Sequence, residues 1–176
     1  LADLHELAQI GRHGRGVHRP TFSLDDMAAR NWFAGKLTET GLATTIDGIG
    51  NVVGRSSGHQ GKALLLGSHL ETQPFGGWLD GSLGTLFALE VARAISETNL
   101  SCAVDVGAWA DEEGHFGTML GSRSFCGIVT EESIDQARNK TTGQSMRDAL
   151  EAAGLTGRAR LVMDPERYAG YLEAHI

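Results

Sequence analysis

The sequence predicts an α/β fold in which one central sheet carries helices on both faces. Strand-like and helix-like segments alternate along the chain, an order that favours helices packed on a sheet. Two runs, KALLLGS (62–68) and SCAVDVGAWA (101–110), have the continuous apolar character of strands that are buried on both faces. Ser23, followed three residues later by Asp26, has the pattern of a cap that opens a helix.

The individual elements follow from local patterns. Leu1, Leu4 and Leu7 have the spacing of a short amphipathic helix. The helix that begins near Ser23 is expected to continue to about Thr40, with a glycine as its C-terminal stop. The remaining elements, in chain order, are short strands at 43–47 and 51–55, the strand at 62–68, a helix at 82–97, the strand at 101–110, short helices near 118–127 and 145–153, and a strand at 168–174.

Composition limits the classes of function. A chain of 176 residues is long enough for one domain with its own core, and no linker divides residues 1–176. The net charge of −7 argues against nucleic acid, and no apolar run approaches the roughly 20 residues of a membrane span. Cys102 and Cys126 form no disulfide framework and are expected to be buried thiols. Such thiols indicate a reducing, cytoplasmic location, and the N-terminus is unlike a secretory signal.

Residues with metal chemistry follow the predicted strands. His69 comes directly after one buried strand, the acidic run 111–113 follows the next, and His175 follows the last. In open α/β sheets ligands bind beyond the carboxyl ends of the strands. The 24 glycines also cluster in these connections, where they allow the backbone to approach a ligand closely. We therefore expect a site at this edge of the sheet.

The segments around this edge combine imidazoles with carboxylates. His69 and Asp80 flank a glycine-rich loop, although by themselves they also fit a surface histidine and a helix-capping aspartate. Three successive carboxylates at 111–113 repel one another unless cations or solvent compensate their charge. The run therefore fits either a metal site or an exposed acidic turn. Of two adjacent glutamates, one can bind a metal while the other accepts a proton from water. Such ligands, with His175 as a third possible nitrogen, suit zinc, manganese, cobalt or nickel.

Other motifs have simpler explanations. GRSSG (54–58) matches the serine-hydrolase elbow, but a strand rather than a helix is predicted after it, so a polar hairpin turn is expected. GIGNVVG (48–54) is a poor match to a dinucleotide fingerprint and also precedes a strand. His115 is expected to be a solvated loop residue. The expected surface histidines are His5, His13 and His59, and the candidates for substrate contact are His18, Arg19 and Arg123.

Three segments in order, GSHLETQPFGGWLDGSLG (67–84), DEEGHFGTMLGSRSFCG (111–127) and YLEAHI (171–176), resemble the hydantoinase/carbamoylase group of zinc-peptidase-like amidohydrolases. This group includes N-carbamoyl-L-amino acid hydrolases, allantoate amidohydrolases and β-ureidopropionases. The resemblance extends over nearly the whole chain, through the N-terminal segments 14–20, 23–33 and 47–55.

The resemblance implies a role for each residue of the site and two divalent metal ions. His69 would hold one metal, Asp80 would bridge both, and Glu113 would hold the second. His175 would complete the ligands of the first metal, and Glu112 would act as general base and then as general acid. Glu71 stands where the family usually has aspartate, a carboxylate that orients the metal-bound histidine, and it is one methylene longer.

The implied fold is a three-layer αβα zinc-exopeptidase-like catalytic domain, of which residues 1–176 would be the N-terminal portion. The family's lid and dimerisation domain and its late histidine ligand are absent, so we expect the chain alone to be inactive and the full-length protein to be a homodimer. The implied reaction is hydrolysis of a small-molecule ureido or amide substrate, namely an N-carbamoyl amino acid. The alternatives are an aminoacylase or dipeptidase of the same superfamily, and an inactive metal-binding fragment. The TQP-x-GG run (72–77) favours the carbamoyl branch by resemblance.

Overall fold

A five-stranded mixed sheet lies at the centre of the computed structural model, which describes residues 1–58, 61–98, 100 and 102–176. A separate two-stranded hairpin precedes it in the chain. The strands are β1 (Arg12–His13), β2 (Gly16–Val17), β3 (Ala43–Ile46), β4 (Val52–Arg55), β5 (Ala63–His69), β6 (Val104–Trp109) and β7 (Tyr168–Leu172). The helices are α1 (Ala2–Leu7), α2 (Leu24–Glu39), α3 (Ser82–Thr98), α4 (Leu120–Phe125), α5 (Glu131–Gln136) and α6 (Met146–Ala152).

The order of the central sheet is β3-β4-β6-β5-β7. Strands β5, β6 and β7 are parallel, whereas β4 is antiparallel to β6 and β3 is antiparallel to β4. Strand β5 lies directly beside β6, with Leu66 opposite Val106 and His69 opposite Trp109. The two apolar runs of the sequence are therefore neighbouring central strands.

Alternating side chains of the central strands contribute to two different cores. From β6, Val104, Val106 and Ala108 belong to the core that packs beneath α1, α2 and α3. On the opposite face Trp109 packs with Phe125 of α4 and with the extended segment that follows α6. Because each strand is covered on both sides, its sequence is apolar throughout rather than alternating. The predicted αβα layering is confirmed.

Helix α2 begins and ends where its sequence predicts. The Ser23 side chain accepts a hydrogen bond from the backbone N–H of Asp26, which satisfies one of the free donors of the first turn. Gly41 follows the helix with φ of +88°, a left-handed conformation that costs glycine little. Phe33 and Leu37 are the largest apolar side chains that this helix buries in the core.

Among the described helices, none has the length and apolarity needed to cross a membrane.

Two local predictions are wrong, and some short elements were not predicted. The segment 54–58 is not a hairpin turn, because β4 pairs with β6 and not with the next strand β5; His59 lies outside the described residues. Cys102 and Cys126 are exposed rather than buried. Cys102 precedes the first residue of β6, and Cys126 is the C-cap of α4, so both lie at element ends outside the packed cores. The short β1–β2 hairpin and α5 were not predicted.

Candidate metal centre

Three of the four expected metal ligands meet at one edge of the sheet. His69 is the last residue of β5, and His175 follows β7. Since β5, β6 and β7 are parallel, their carboxyl ends lie on the same side. Asp80 reaches this edge from the loop that ends at the first residue of α3.

The ligand atoms of these three residues form a nearly equilateral triangle. His69 Nε2 lies 3.3 Å from His175 Nε2 and 3.7 Å from Asp80 Oδ1, and His175 Nε2 lies 3.6 Å from that same oxygen. A tetrahedral zinc with bonds of about 2.0–2.1 Å needs its ligands roughly 3.3–3.5 Å apart. The spacing of His69, Asp80 and His175 is therefore within about 0.2 Å of what one tetrahedral divalent cation needs.

The hydrogen bonds of the two imidazoles also favour a cation. His69 Nδ1 lies 2.9 Å from the backbone oxygen of Glu71, and His175 Nδ1 lies 2.9 Å from that of Ile176. A carbonyl oxygen only accepts, so in the neutral rings each Nδ1 carries the hydrogen and each Nε2 a lone pair. Within the described part of the chain, the buried Asp80 Oδ1 has no hydrogen-bond donor. Two lone pairs and an anionic oxygen facing one another repel unless a cation lies between them.

Gly81 provides the space for this arrangement. A Cβ atom at this position would lie 2.5 Å from atoms of the His69 ring, and the residue has φ of +64°. The close approach excludes a Cβ atom, and the left-handed backbone favours glycine. The loop can therefore place Asp80 against the imidazole.

The acidic run divides into residues with different surroundings. Asp111 is buried with φ of +55°, and its carboxylate accepts hydrogen bonds from the backbone of residues 115–117 and from the Thr21 hydroxyl. Because its carboxylate oxygens accept these hydrogen bonds, Asp111 stabilises the conformation of the loop. Glu112 is half-buried, with Oε2 at 3.6 Å from His69 Nε2. Burial raises the pKa of the Glu112 carboxyl.

The structure places Glu113 differently from the other proposed ligands. Its Oε2 accepts a hydrogen bond of 2.8 Å from Gln73 Nε2, and its Oε1 accepts from the Gln73 backbone N–H. Among the described residues, the group whose ligand atoms lie within 4.8 Å of one another contains His69, Asp80 and His175. Gln73 was not identified from the sequence, although it belongs to the TQP-x-GG run. The role of Glu113 as a ligand stays a prediction.

The contacts of Glu71 differ from those that the resemblance implies. Its backbone oxygen accepts from His69 Nδ1, whereas its carboxylate Oε1 lies 4.0 Å from that nitrogen. The carboxylate instead receives a hydrogen bond from the backbone N–H of Glu112 and forms an ion pair of 2.7 Å with Arg30. The main chain of Glu71, rather than its side chain, orients the histidine.

Arg19 is not a substrate-facing residue, because it is fully buried. Its guanidinium donates to the backbone oxygen of Leu70 and to the Ser82 hydroxyl, at the two ends of the loop that carries Asp80. Burial lowers its pKa to about 10. Arg19 therefore clamps the loop.

The other histidines fall into two groups. His115 is buried, which contradicts the expectation of a solvated residue: its Nδ1 lies 2.9 Å from the Thr21 hydroxyl, and contact with Asp111 raises its pKa. His18 stacks on the exposed ring of Phe75, with ring centroids 4.5 Å apart. As predicted, His5 and His13 are exposed; Arg123, a candidate for substrate contact, is exposed as well.

Comparison with known proteins identifies the family of the chain. The model of Peptidase family M28 matches residues 51–164. An N-carbamoyl-L-amino acid amidohydrolase of Geobacillus stearothermophilus is 33% identical, with 98% of this chain and 44% of that protein covered. An allantoate deiminase of Arabidopsis thaliana is 32% identical, with 100% of this chain and 35% of that protein covered.

A solved structure gives the same result. An amidase of the hydantoinase/carbamoylase family from Burkholderia phymatum is 48% identical and superposes with a TM-score of 0.94, over 99% of this chain and 43% of the other. The chain thus spans less than half the length of these relatives. The family match, the fold and these similarities show that the chain belongs to peptidase family M28 and groups with the hydantoinase/carbamoylase amidohydrolases.

Proposed function

We propose that residues 1–176 are the N-terminal portion of the catalytic domain of a longer enzyme, called here the complete protein. The complete protein hydrolyses the ureido group of N-carbamoyl amino acids. The observation that carries this proposal is the triangle of His69, Asp80 and His175 with the Glu112 carboxylate beside it. Relatives named as N-carbamoyl-L-amino acid amidohydrolases, from several bacteria, support this choice of substrate.

The donor set suits a metal-dependent enzyme. His69, Asp80 and His175 would hold one divalent ion, and Asp80 together with Glu113 would hold a second. A divalent cation bound here would polarise the substrate carbonyl and lower the pKa of a bound water. Zinc, manganese, cobalt and nickel all accept such ligands.

Glu112 performs the proton transfers in this proposal. Its carboxylate takes a proton from the attacking water and then delivers it to the departing nitrogen. Addition of water to the ureido carbon and cleavage of the bond to the amino-acid nitrogen yield the free amino acid and carbamic acid. Carbamic acid then breaks down to ammonia and carbon dioxide, so all atoms of substrate and water are accounted for.

A substrate panel tests this function. The complete protein, loaded with metal, is assayed with N-carbamoyl amino acids, allantoate, 3-ureidopropionate and N-acyl amino acids. We expect turnover of N-carbamoyl amino acids that is abolished by a chelator and restored by metal. Cleavage of acyl-amino acids alone would establish an aminoacylase instead, and metal binding without turnover of any substrate would leave a non-catalytic metal protein.

A further inference from the structure

We propose that the Glu71 carboxylate is a positioning group for Glu112, and that the metal-binding geometry of His69 depends on the Glu71 backbone oxygen instead. The inference rests on the proposed role of Glu112 as proton acceptor. It assigns the side chain and the main chain of one residue to two different functions.

The first step is the carboxylate's own contacts. Glu71 is fully buried, and its Oε2 forms an ion pair of 2.7 Å with Arg30 Nη2. Its other oxygen accepts the backbone N–H of Glu112. A hydrogen bond to an ionised acceptor in a buried site is stronger than a neutral one. The backbone of Glu112 is therefore held by a hydrogen bond to the Glu71 carboxylate.

The second step is the support behind Glu71. Arg30 on α2 is also fully buried, with its Nε 3.0 Å from Asp26 and its Nη1 2.9 Å from the backbone oxygen of Gly50. Asp26, one turn earlier, accepts the backbone N–H of Phe22. With each of its three nitrogens bonded, Arg30 has little freedom to move. Buried charges connect helix α2 to the main chain of Glu112.

The third step separates this network from the metal ligands. His69 Nδ1 lies 2.9 Å from the Glu71 backbone oxygen but 4.0 Å from its carboxylate. Removing the carboxylate charge leaves the carbonyl in place. The orientation of His69 should survive, whereas Glu112 loses the contact that sets its position. A displacement of about 1 Å in a catalytic group can cost roughly 100-fold in rate.

Glu71→Gln in the complete protein is the test, since glutamine keeps the size and removes the charge. We expect kcat to fall about 100-fold, with KM changed less than about threefold and with metal affinity, measured by calorimetric titration of metal-free protein, changed less than about threefold. Loss of metal affinity in parallel with kcat would show that the carboxylate orients His69, and unchanged kcat would show that it does not position Glu112. Either result overturns the proposal.

Controls separate positioning from general destabilisation. Asp3→Asn removes a partly buried carboxylate that pairs with Arg93 and Lys36 among helices α1, α2 and α3, and it should lower stability while leaving kcat unchanged. His69→Ala should abolish tight metal binding. If Glu71→Gln does not fold, Arg30→Lys is the second variant, because lysine keeps the charge but has only one nitrogen for the two carboxylates. It should show the same loss of kcat with metal affinity retained. A loss of metal affinity in Arg30→Lys would contradict the proposal.

Two measurements keep this inference distinct from the proposed function. Exchange of the Glu112 amide hydrogen should be faster in Glu71→Gln than in wild type, because its acceptor is weakened. That exchange and the metal titration need no substrate. If the wild type turns over no ureido substrate, the proposed function fails while the positioning of Glu112 is still decided by amide exchange.

Discussion

Neighbouring carboxylates in the segment 111–113 are distinguished by what surrounds each one. Asp111 is buried among backbone N–H donors, Glu112 faces His69, and Glu113 accepts from Gln73. Three acidic residues in a row would repel one another on a shared surface. Here the left-handed backbone at Asp111 turns its side chain into the loop and leaves the two glutamates to the site.

Replacing each glutamate by glutamine tests the assigned roles. Glu112→Gln should lower turnover of the complete protein by about 10²–10⁴-fold with its metal content intact, because a positioned acid–base group is lost and no ligand is removed. Glu113→Gln should lower both the rate and the number of bound metal ions. Turnover and metal analysis of both variants provide the measurement. If Glu112→Gln loses metal while Glu113→Gln keeps it, the two roles are reversed.

At the scale of elements, strand β7 depends on an ion pair that crosses the sheet. Asp105 on β6 has no exposed side-chain surface, and its carboxylate accepts hydrogen bonds from Arg167 and Tyr168 at the start of β7. Ser56, beyond the end of β4, donates to the same carboxylate through its backbone N–H and its hydroxyl. Burial alone would raise the pKa of Asp105, but the bonds from Arg167 and Ser56 outweigh burial and leave it lowered. This cluster holds the strand that carries His175.

Asp105→Asn should therefore destabilise the fold by about 3 kcal/mol, since it leaves the partly buried Arg167 without its anion. A group with a lowered pKa stabilises the folded state above its unfolded pKa of about 4, and this contribution disappears as the pH falls through the folded value. The difference from wild type should thus be full at pH 7 and shrink below about pH 4.

Urea unfolding at a series of pH values is the measurement for Asp105→Asn. Glu166→Gln, which alters an exposed ion pair with Lys62, is the control and should leave the midpoint unchanged. Equal stability of wild type and Asp105→Asn at neutral pH would contradict the assigned role of the cluster.

For the whole molecule, the described residues leave an apolar surface beside β7. Phe87, Val91 and Leu172 line a groove between α3 and β7, and their side chains are 50%, 42% and 58% exposed. Strand β7 ends the sheet order within the described chain, so its outer backbone groups have no strand partner there. Contiguous apolar surface beside an open strand edge favours association.

We therefore expect residues 1–176, produced alone, to self-associate. Sedimentation velocity at increasing protein concentration should show species larger than the monomer, and Leu172→Lys should shift the distribution towards monomer because a charge then lies in the groove. Leu24→Gln, at an exposed apolar residue away from β7, is the matched control and should have no effect. A chain that remains monomeric at all concentrations would contradict the prediction.

Local patterns alone determined the main strands and helices, although not β1, β2 and α5, and the edge of the sheet where the candidate site lies. The Ser23 cap, the two apolar strands and the positions of His69, Asp80 and His175 relative to strand and helix ends all depend on residues close together in the chain. Parallel strands bring their carboxyl ends together, so this part of the site followed from the sequence once the strands were recognised.

Only the tertiary structure decided which side chains are partners within that edge. The carboxylate of Glu71 contacts Arg30 on a distant helix, and Glu113 contacts Gln73 in another loop. Arg19 and His115 have polar side chains typical of surfaces, yet both are buried. Distant carbonyl and hydroxyl groups accept the hydrogen bonds of Arg19, and His115 Nδ1 lies against the hydroxyl of Thr21, far away in the chain. These pairings depend on the strand order β4-β6-β5-β7 and on helix packing, and no local periodicity encodes which separated segments become neighbours.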